Sequence, residues 1–120
     1  MLDSIIIDWP FPVSVNRIWR GSGKHVYRSK EYKDWMAEAG LLWLTQKKNN
    51  KIKHIEGNYR LHITLNPPHK RRIDLGNFEK VVSDLLQHLG IIEDDRFCRE
   101  LLMDYGEAPL GTRIILTHHH

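Results

Sequence analysis

The sequence predicts a single small α/β (α+β) domain in which two main helices pack on a mixed β-sheet. Two stretches place apolar residues three and four apart, and runs with strand-like alternation or β-branched residues surround them. With 120 residues, the chain has room for a sheet with two helices but not for a cofactor domain beside a substrate domain. Hydrophobic residues make up 41% of it, enough for a real core of modest size.

In order, residues 2–9 centre on Ile5-Ile6-Ile7 and stop at Trp9-Pro10, a strand ended by proline. Residues 11–16 are an extended, proline-fixed loop. Ile18-Trp19-Arg20 and His25-Val26-Tyr27 flank Gly21-Ser22-Gly23-Lys24, the pattern of a hairpin. Ser29 is placed to cap a helix over 31–46, whose apolar face carries Tyr32, Trp35, Met36, Ala39, Leu42 and Trp43. Its aromatics read as core rather than as a platform for stacking bases. The basic, aperiodic stretch 47–53 is a loop, either a solvated connector or a flap that touches phosphate. Residues 59–65 alternate as a strand and Pro67-Pro68 forbids its continuation. Phe78, Val81, Val82, Leu85, Leu86 and Leu89 have the cleanest helical period in the chain, with Gly90 where a left-handed cap belongs. Asn77, Lys80 and Asp84 occupy the opposite face. Residues 98–105 and 112–117 read as two final strands joined by a turn containing Gly106, Pro109 and Gly111. There is no internal repeat.

The single cysteine, Cys98, allows neither an internal disulfide nor a cysteine-based zinc cluster, and reads as a reduced intracellular thiol. Asp3 and Asp8 bracket the first apolar run without a positive n-region, so no signal peptide is expected. No stretch approaches the roughly 20 apolar residues of a membrane span. The reading is a cytoplasmic protein with no membrane partner. His118-His119-His120 read as a purification-tag remnant after a domain of residues 1–117. A net charge of +3 favours a polyanionic partner without naming one.

Chemistry concentrates between residues 70 and 96. Lys70-Arg71-Arg72 precede Asp74 at a helix start, Lys80 lies on that helix's polar face, and Glu93-Asp94-Asp95 follow its far end. Magnesium takes hard oxygen ligands, often one or two carboxylates with water and substrate phosphate. Cations beside such a site would bind a phosphodiester and offset charge developing during attack. Each piece also has a plain structural reading. Asp74 suits a helix N-cap, Lys80 and Asp84 form an i,i+4 pair, and the acidic and basic runs suit solvated turns and strand ends.

Three separated motifs bear on this choice. They are Trp9-Pro10-Phe11-Pro12-Val13-Ser14-Val15-Asn16-Arg17, then Arg71-Arg72-Ile73-Asp74-Leu75-Gly76-Asn77-Phe78-Glu79-Lys80, then Ser83-Asp84-Leu85-Leu86 with Gly90-Ile91-Ile92-Glu93-Asp94-Asp95. Through them the chain resembles the RusA-type Holliday junction resolvases, small endodeoxyribonucleases often carried by prophages. The resemblance implies a homodimer that binds four-way DNA junctions and nicks two strands symmetrically with Mg2+ or Mn2+. Carried over by position, Asp74 and Asp95 are the catalytic, metal-binding aspartates, with Asp94 assisting, and Lys80 is the catalytic lysine. Asn16 and Arg17 would lie near the site, and Lys70, Arg71, Arg72, Arg17 and Arg20 would hold the DNA backbone. Trp19, Trp35, Trp43 and Phe97 are candidates for core or dimer interface.

One position departs from the pattern. Gly76 stands where the family usually has a second aspartate. Either another acid, Asp94, Glu79 or Asp84, supplies that charge, or cleavage is weakened. A rival reading follows, a non-catalytic or weakly catalytic protein that binds junction DNA. A nuclease for some other branched or flapped nucleic acid is a third.

Overall fold

In the computed structural model, which describes residues 3–69 and 73–120, the alternating runs pair into a four-stranded mixed sheet. Its strands are β1 (Ser4–Pro10), β4 (Tyr59–Leu65), β5 (Cys98–Tyr105) and β6 (Gly111–His118), in the order β1-β6-β4-β5. β6 is antiparallel to both β1 and β4, whereas β4 and β5 are parallel. β2 (Trp19–Ser22) and β3 (His25–Arg28) form a separate antiparallel hairpin. α1 (Lys30–Gln46) and α2 (Gly76–His88) are the two predicted helices.

Period-two patterning decides which face of the sheet is dry. Ile5, Ile7 and Trp9 of β1, Tyr59, Leu61, Ile63 and Leu65 of β4, and Ile114 and Leu116 of β6 are fully buried. On them lie Trp35, Ala39 and Trp43 of α1 and Phe78, Val81, Val82, Leu85 and Leu86 of α2. Trp9 meets Trp35 edge to face at 5.8 Å, an arrangement that aromatic quadrupoles favour. Of the tryptophans offered as core or interface, Trp35 and Trp43 are thus core, whereas Trp19 is 54% exposed. Phe97 is half-buried beneath Arg96.

The predicted boundaries have local causes. Pro10 ends β1 at the edge of the sheet, where its missing N–H leaves no inner ladder bond unmade. Ser29 Oγ accepts from the Tyr32 amide at 3.2 Å and donates to the Arg17 carbonyl at 2.6 Å. It therefore caps α1 and ties the helix to the preceding loop. Gly90, at φ 74°, takes the left-handed turn that ends α2 and lets the Ile91 amide reach the Leu86 carbonyl. In the basic loop after α1, Lys53 turns its ammonium onto the Lys47 and Asn50 carbonyls, and Lys47–Asn49 form a 3-10 turn. β6 runs on to His118, and the His119 amide donates to the Asn58 carbonyl. Two of the three terminal histidines thus join the sheet's hydrogen bonding.

The opposite face of the sheet is polar. Arg113 grips Asp8 with two N–H groups at 2.8 and 3.0 Å, Arg60 pairs with Glu100, and Asp104 accepts from Thr64 at 2.9 Å.

The outer edge of β1 is closed by side chains. Asn50 accepts from the Ile6 amide at 2.9 Å and donates to the Ile6 carbonyl at 3.1 Å. Gln46 does the same for Asp8, at 2.7 and 2.6 Å. The match is geometric. The one turn from Gln46, the last residue of α1, through the 3-10 turn to Asn50 rises about 6–8 Å, close to the roughly 6.6 Å two-residue repeat of a strand. Two amides therefore imitate a neighbouring strand on a sheet edge. Asn50→Ala leaves the Ile6 amide and carbonyl without that partner, and the expected loss is about 1–3 kcal/mol of unfolding free energy. The exposed Thr45→Ala change should stay within about 0.5 kcal/mol. Urea unfolding of both variants, read against the unsubstituted chain, is the measurement.

Candidate functional site

α2 presents its polar side as a stripe. Lys80, Asp84, Gln87 and His88 fall at helical spacing and line one cleft of about 480 Å³. Asp94 and Asp95 close it from the turn after the helix, and Arg28, Tyr32 and Met36 close it from the other side.

The acidic run after α2 is divided by local hydrogen bonding. Glu93 accepts from the Gly57 amide at 2.5 Å. Asp94 Oδ1 accepts from the Arg96 amide at 2.9 Å and opens the 3-10 turn Asp95–Phe97. The Asp95 amide donates to Gln87 Oε1 at 3.1 Å. With its main chain fixed in this way, the Asp95 carboxylate reaches Lys80. Lys80 Nζ lies 3.0 Å from Asp95 Oδ2 and 3.0 Å from Asp84 Oδ1.

This geometry fixes protonation. Hydrogen bonds that Lys80 donates to Asp84 and then to Asp95 hold its pKa above the ordinary ammonium range. The Lys80 hydrogen bond holds Asp95 below the ordinary carboxylate range. At neutral pH the cleft therefore contains a fixed ammonium and an ionised carboxylate. Cys98 is inert beside it. Burial, followed by the charge of Glu79, raises its thiol pKa, which keeps it protonated and a poor nucleophile.

Of the expected residues, the structure gathers Lys80, Asp95 and Asp94 in one cleft and adds Asp84 as a direct partner of Lys80. Asp74 does not line that cleft. It sits one residue before Leu75, the N-cap of α2, and its Oδ1 accepts from the Gly76 amide at 3.0 Å. Asn16 and Arg17 lie in the 3-10 turn Val15–Arg17, which packs against α2. Arg17 and Arg20 both approach Glu31, at 3.8 and 2.7 Å. The basic run Lys70, Arg71 and Arg72 lies outside the described residues. Sequence reasoning missed Arg28, Tyr32, Gln87 and His88. Gln87 and His88 were reachable from the Lys80 and Asp84 stripe, but Arg28 comes from a hairpin whose docking has no local signature.

Among the described residues, no three histidine, cysteine or acidic side chains converge as a preformed metal cage. Asp84 and Asp95 nevertheless bring carboxylate oxygens to within 3.0 Å of one nitrogen, so those oxygens lie no more than twice that distance apart. Two hard oxygen donors suit a divalent ion such as magnesium, which keeps much of its water and takes phosphate as a further ligand. The residues fit such an ion, on the condition that it shares these carboxylates with Lys80. Gly76 contributes no donor. A Cβ built there would meet only Asp74 Oδ1 at 3.4 Å, so an aspartate has room beside Asp74.

Comparison with known proteins gives this cleft a family. The model for endodeoxyribonuclease RusA matches residues 10–117. The crossover junction endodeoxyribonuclease rusA of Enterobacteria phage HK97 is 30% identical over 105 residues, covering 88% of this chain and 85% of the phage protein. The family match spans both helices, the hairpin and every residue of the cleft, and the chain belongs to the endodeoxyribonuclease RusA family.

Proposed function

We propose that this protein is a divalent-metal-dependent endodeoxyribonuclease that resolves four-way DNA junctions in recombination and repair, nicking paired strands as a homodimer. The observation that carries the reading is the Lys80 ammonium held between Asp84 and Asp95 in a cleft of a RusA-family chain. Asp95, with Asp84 and Asp94 beside it, would hold Mg2+ or Mn2+. The ion, when bound, supplies Lewis-acid polarisation of the phosphodiester. Lys80 places a permanent positive charge where charge develops on the phosphate oxygens. Its raised pKa excludes it as a general base near neutrality. Asp74, the other expected ligand, stands beside the place a second signature carboxylate would take.

Two features support a homodimer. A two-fold enzyme matches the pseudo-two-fold of a four-way junction, and among the described residues no strand pairs with the outer edge of β5, where Leu101 and Leu102 are about half exposed. Backbone contacts dominate this kind of recognition, so binding should weaken steeply with salt and depend little on base sequence. Among the described residues, no helix is long and apolar enough to cross a membrane, and the proposed setting is the cytoplasm, where the DNA is.

The glycine at position 76 and the lack of a three-ligand cage among the described residues favour a second reading, junction binding without cleavage. A nicking assay on a synthetic four-way junction and on linear duplex, with and without Mg2+, separates the two. The nuclease reading expects junction-selective nicking only with metal, abolished in Asp95→Asn while junction binding is kept or strengthened. Retention of junctions without nicks at any metal concentration would establish the rival.

Gly76→Asp tests the missing carboxylate directly. The site has steric room, and an acid in the first turn of a helix is favoured by the dipole, by about 0.3–1 kcal/mol. The variant should fold, gain metal-dependent thermal stabilisation beyond that of the parent chain, and nick faster. Unchanged metal dependence and rate would remove position 76 from the site.

The Lys80 to Asp95 pair also sets a pH window. Asp95 has a lowered folded pKa, so its stabilisation is present above the ordinary carboxylate range and lost on acidification through the folded value. Lys80 has a raised folded pKa, so its contribution is present below the ordinary ammonium range and lost only at higher pH. The stability difference between Lys80→Met and the parent chain should therefore be flat from about pH 5 to about pH 9. Thermal melts across that range provide the check.

A further inference from the structure

The cleft has a second cation with no counterpart among the predicted residues. Arg28 ends β3 at the root of the hairpin and lines the same cleft as Lys80, Asp84 and Asp95. Its guanidinium carbon lies 5.9 Å from the ring centroid of Trp19, its cross-strand partner, and 5.7 Å from that of Tyr32 in the first turn of α1. Both distances fall within cation–π range. Tyr32 responds electrostatically to Arg28 and to Asp84 with opposite signs, which places both charges close to this ring.

Arg28 differs from the ion-paired arginines of the chain and resembles Arg96, whose guanidinium lies over the Phe97 ring. Arg17 and Arg20 approach Glu31, Arg60 pairs with Glu100, and Arg113 with Asp8. Among the described residues, no carboxylate pairs with Arg28. Aromatic rings meet a guanidinium over its flat faces, whereas its five N–H donors point outward in the plane. A guanidinium placed against two rings is thereby oriented while its donors stay available. Hydrogen-bond acceptors with matching geometry are the oxygens of a phosphate, which an arginine fork takes in pairs. The rest of the hairpin favours the same ligand, because residues 19–28 carry Arg20, Lys24 and Arg28 and no acid. Trp19, 54% exposed, has a use in this arrangement as the shelf on which Arg28 rests.

We infer that Arg28 is a phosphate-binding residue of the cleft, held by Trp19 and Tyr32 so that its fork grips a DNA backbone phosphate beside the one facing Lys80. This rests on the nuclease reading for its substrate, and on the cleft geometry alone for the residue. Lys80 supplies charge at the reacting group, and Arg28 fixes the register of the strand. Trp19 and Tyr32 act through Arg28 and are positioning residues.

The test is binding of a synthetic four-way junction in metal-free buffer over a salt series, for the parent chain, Arg28→Gln, Arg28→Lys and Trp19→Ala. Losing one phosphate contact should reduce the slope of log K against log salt by about 0.9 in Arg28→Gln, with an affinity loss of about tenfold at the lowest salt. Arg28→Lys should keep the slope yet lose most nicking in magnesium, because a lysine keeps the charge without the planar fork. Trp19→Ala should lower nicking in the same direction by a smaller factor, and Trp19→Phe should restore it. Equal slope and affinity for Arg28→Gln and the parent chain would overturn the assignment. If the parent chain binds linear duplex as well as it binds junctions, the junction reading fails. Arg28 is then judged by the same slope comparison on duplex. If the parent chain binds no DNA, both readings fall.

Discussion

The cleft depends on the burial of one face of α2. Phe78, Val81, Val82, Leu85 and Leu86 are sealed against the sheet, and at about 1.5–3 kcal/mol for each large side chain they contribute on the order of 10 kcal/mol. The two contacts of Lys80 are exposed ion pairs, worth about 0–1 kcal/mol each. Burial therefore sets where the polar stripe points, and the ion pairs adjust side chains on a helix already placed. Connection rules do the rest. β4 and β5 are parallel neighbours, so the chain between them must cross over the sheet, and α2 is that crossover. The return to β5 passes the C-terminal half of the helix and delivers Asp94 and Asp95 beside Lys80. Residues fifteen apart in sequence, Lys80 and Asp95, meet because topology leaves the return path little choice.

Within that frame, each acid of the turn has a separate task. Glu93 anchors the Gly57 amide, Asp94 caps the 3-10 turn, and Asp95 meets the lysine. Three adjacent carboxylates with no such division would repel one another and any approaching phosphate. Here two are hydrogen-bonded by backbone N–H groups and the third by an ammonium, which lowers the cost of holding three carboxylates together. The same logic separates the arginines. Arg17 and Arg20 share the single charge of Glu31, whereas Arg28 adds positive charge to the cleft wall.

The periodic elements could be read from the sequence, because a single physical signal determines each. α1 and α2 follow from apolar residues at three and four, Ser29 and Gly90 from capping geometry, and β1 from β-branched residues closed by Pro10. Lys80, Asp94 and Asp95 could be recognised as a group because they lie close in sequence around one helix. Asp74 could not be placed as well. An aspartate before a helix reads equally as a cap and as a ligand, and its hydrogen bond to the Gly76 amide is a local turn bond ahead of the N-cap Leu75. Arg28 was beyond reach for another reason. Its position depends on a hairpin exposed along its whole length and rooted against α1, and local pattern says nothing about where such a hairpin docks.

The two edges of the sheet are treated unequally. An open edge offers unpaired N–H and C=O groups to any strand that approaches, and folded domains usually block it. On β1 the block is built from Gln46 at the end of α1 and Asn50 after the following 3-10 turn, two polar side chains that saturate the outward groups of Ile6 and Asp8. β5 has no such cover among the described residues, and its consecutive residues Leu101 and Leu102 expose apolar surface on opposite faces. Their exposure has a simple cause in chain order. β5 is parallel to β4 and lies beyond it, past the reach of the helices that shield the centre of the sheet. A chain that closes one edge with two amides and leaves the other apolar and unpaired is suited to associate in one direction only. A closed pair, in place of an open fibre, is what a single free edge permits. The cleft begins at the foot of that edge, since Asp95 opens the turn that leads directly into β5. Association through β5 would therefore set the spacing of two such clefts by the strand that follows Asp95.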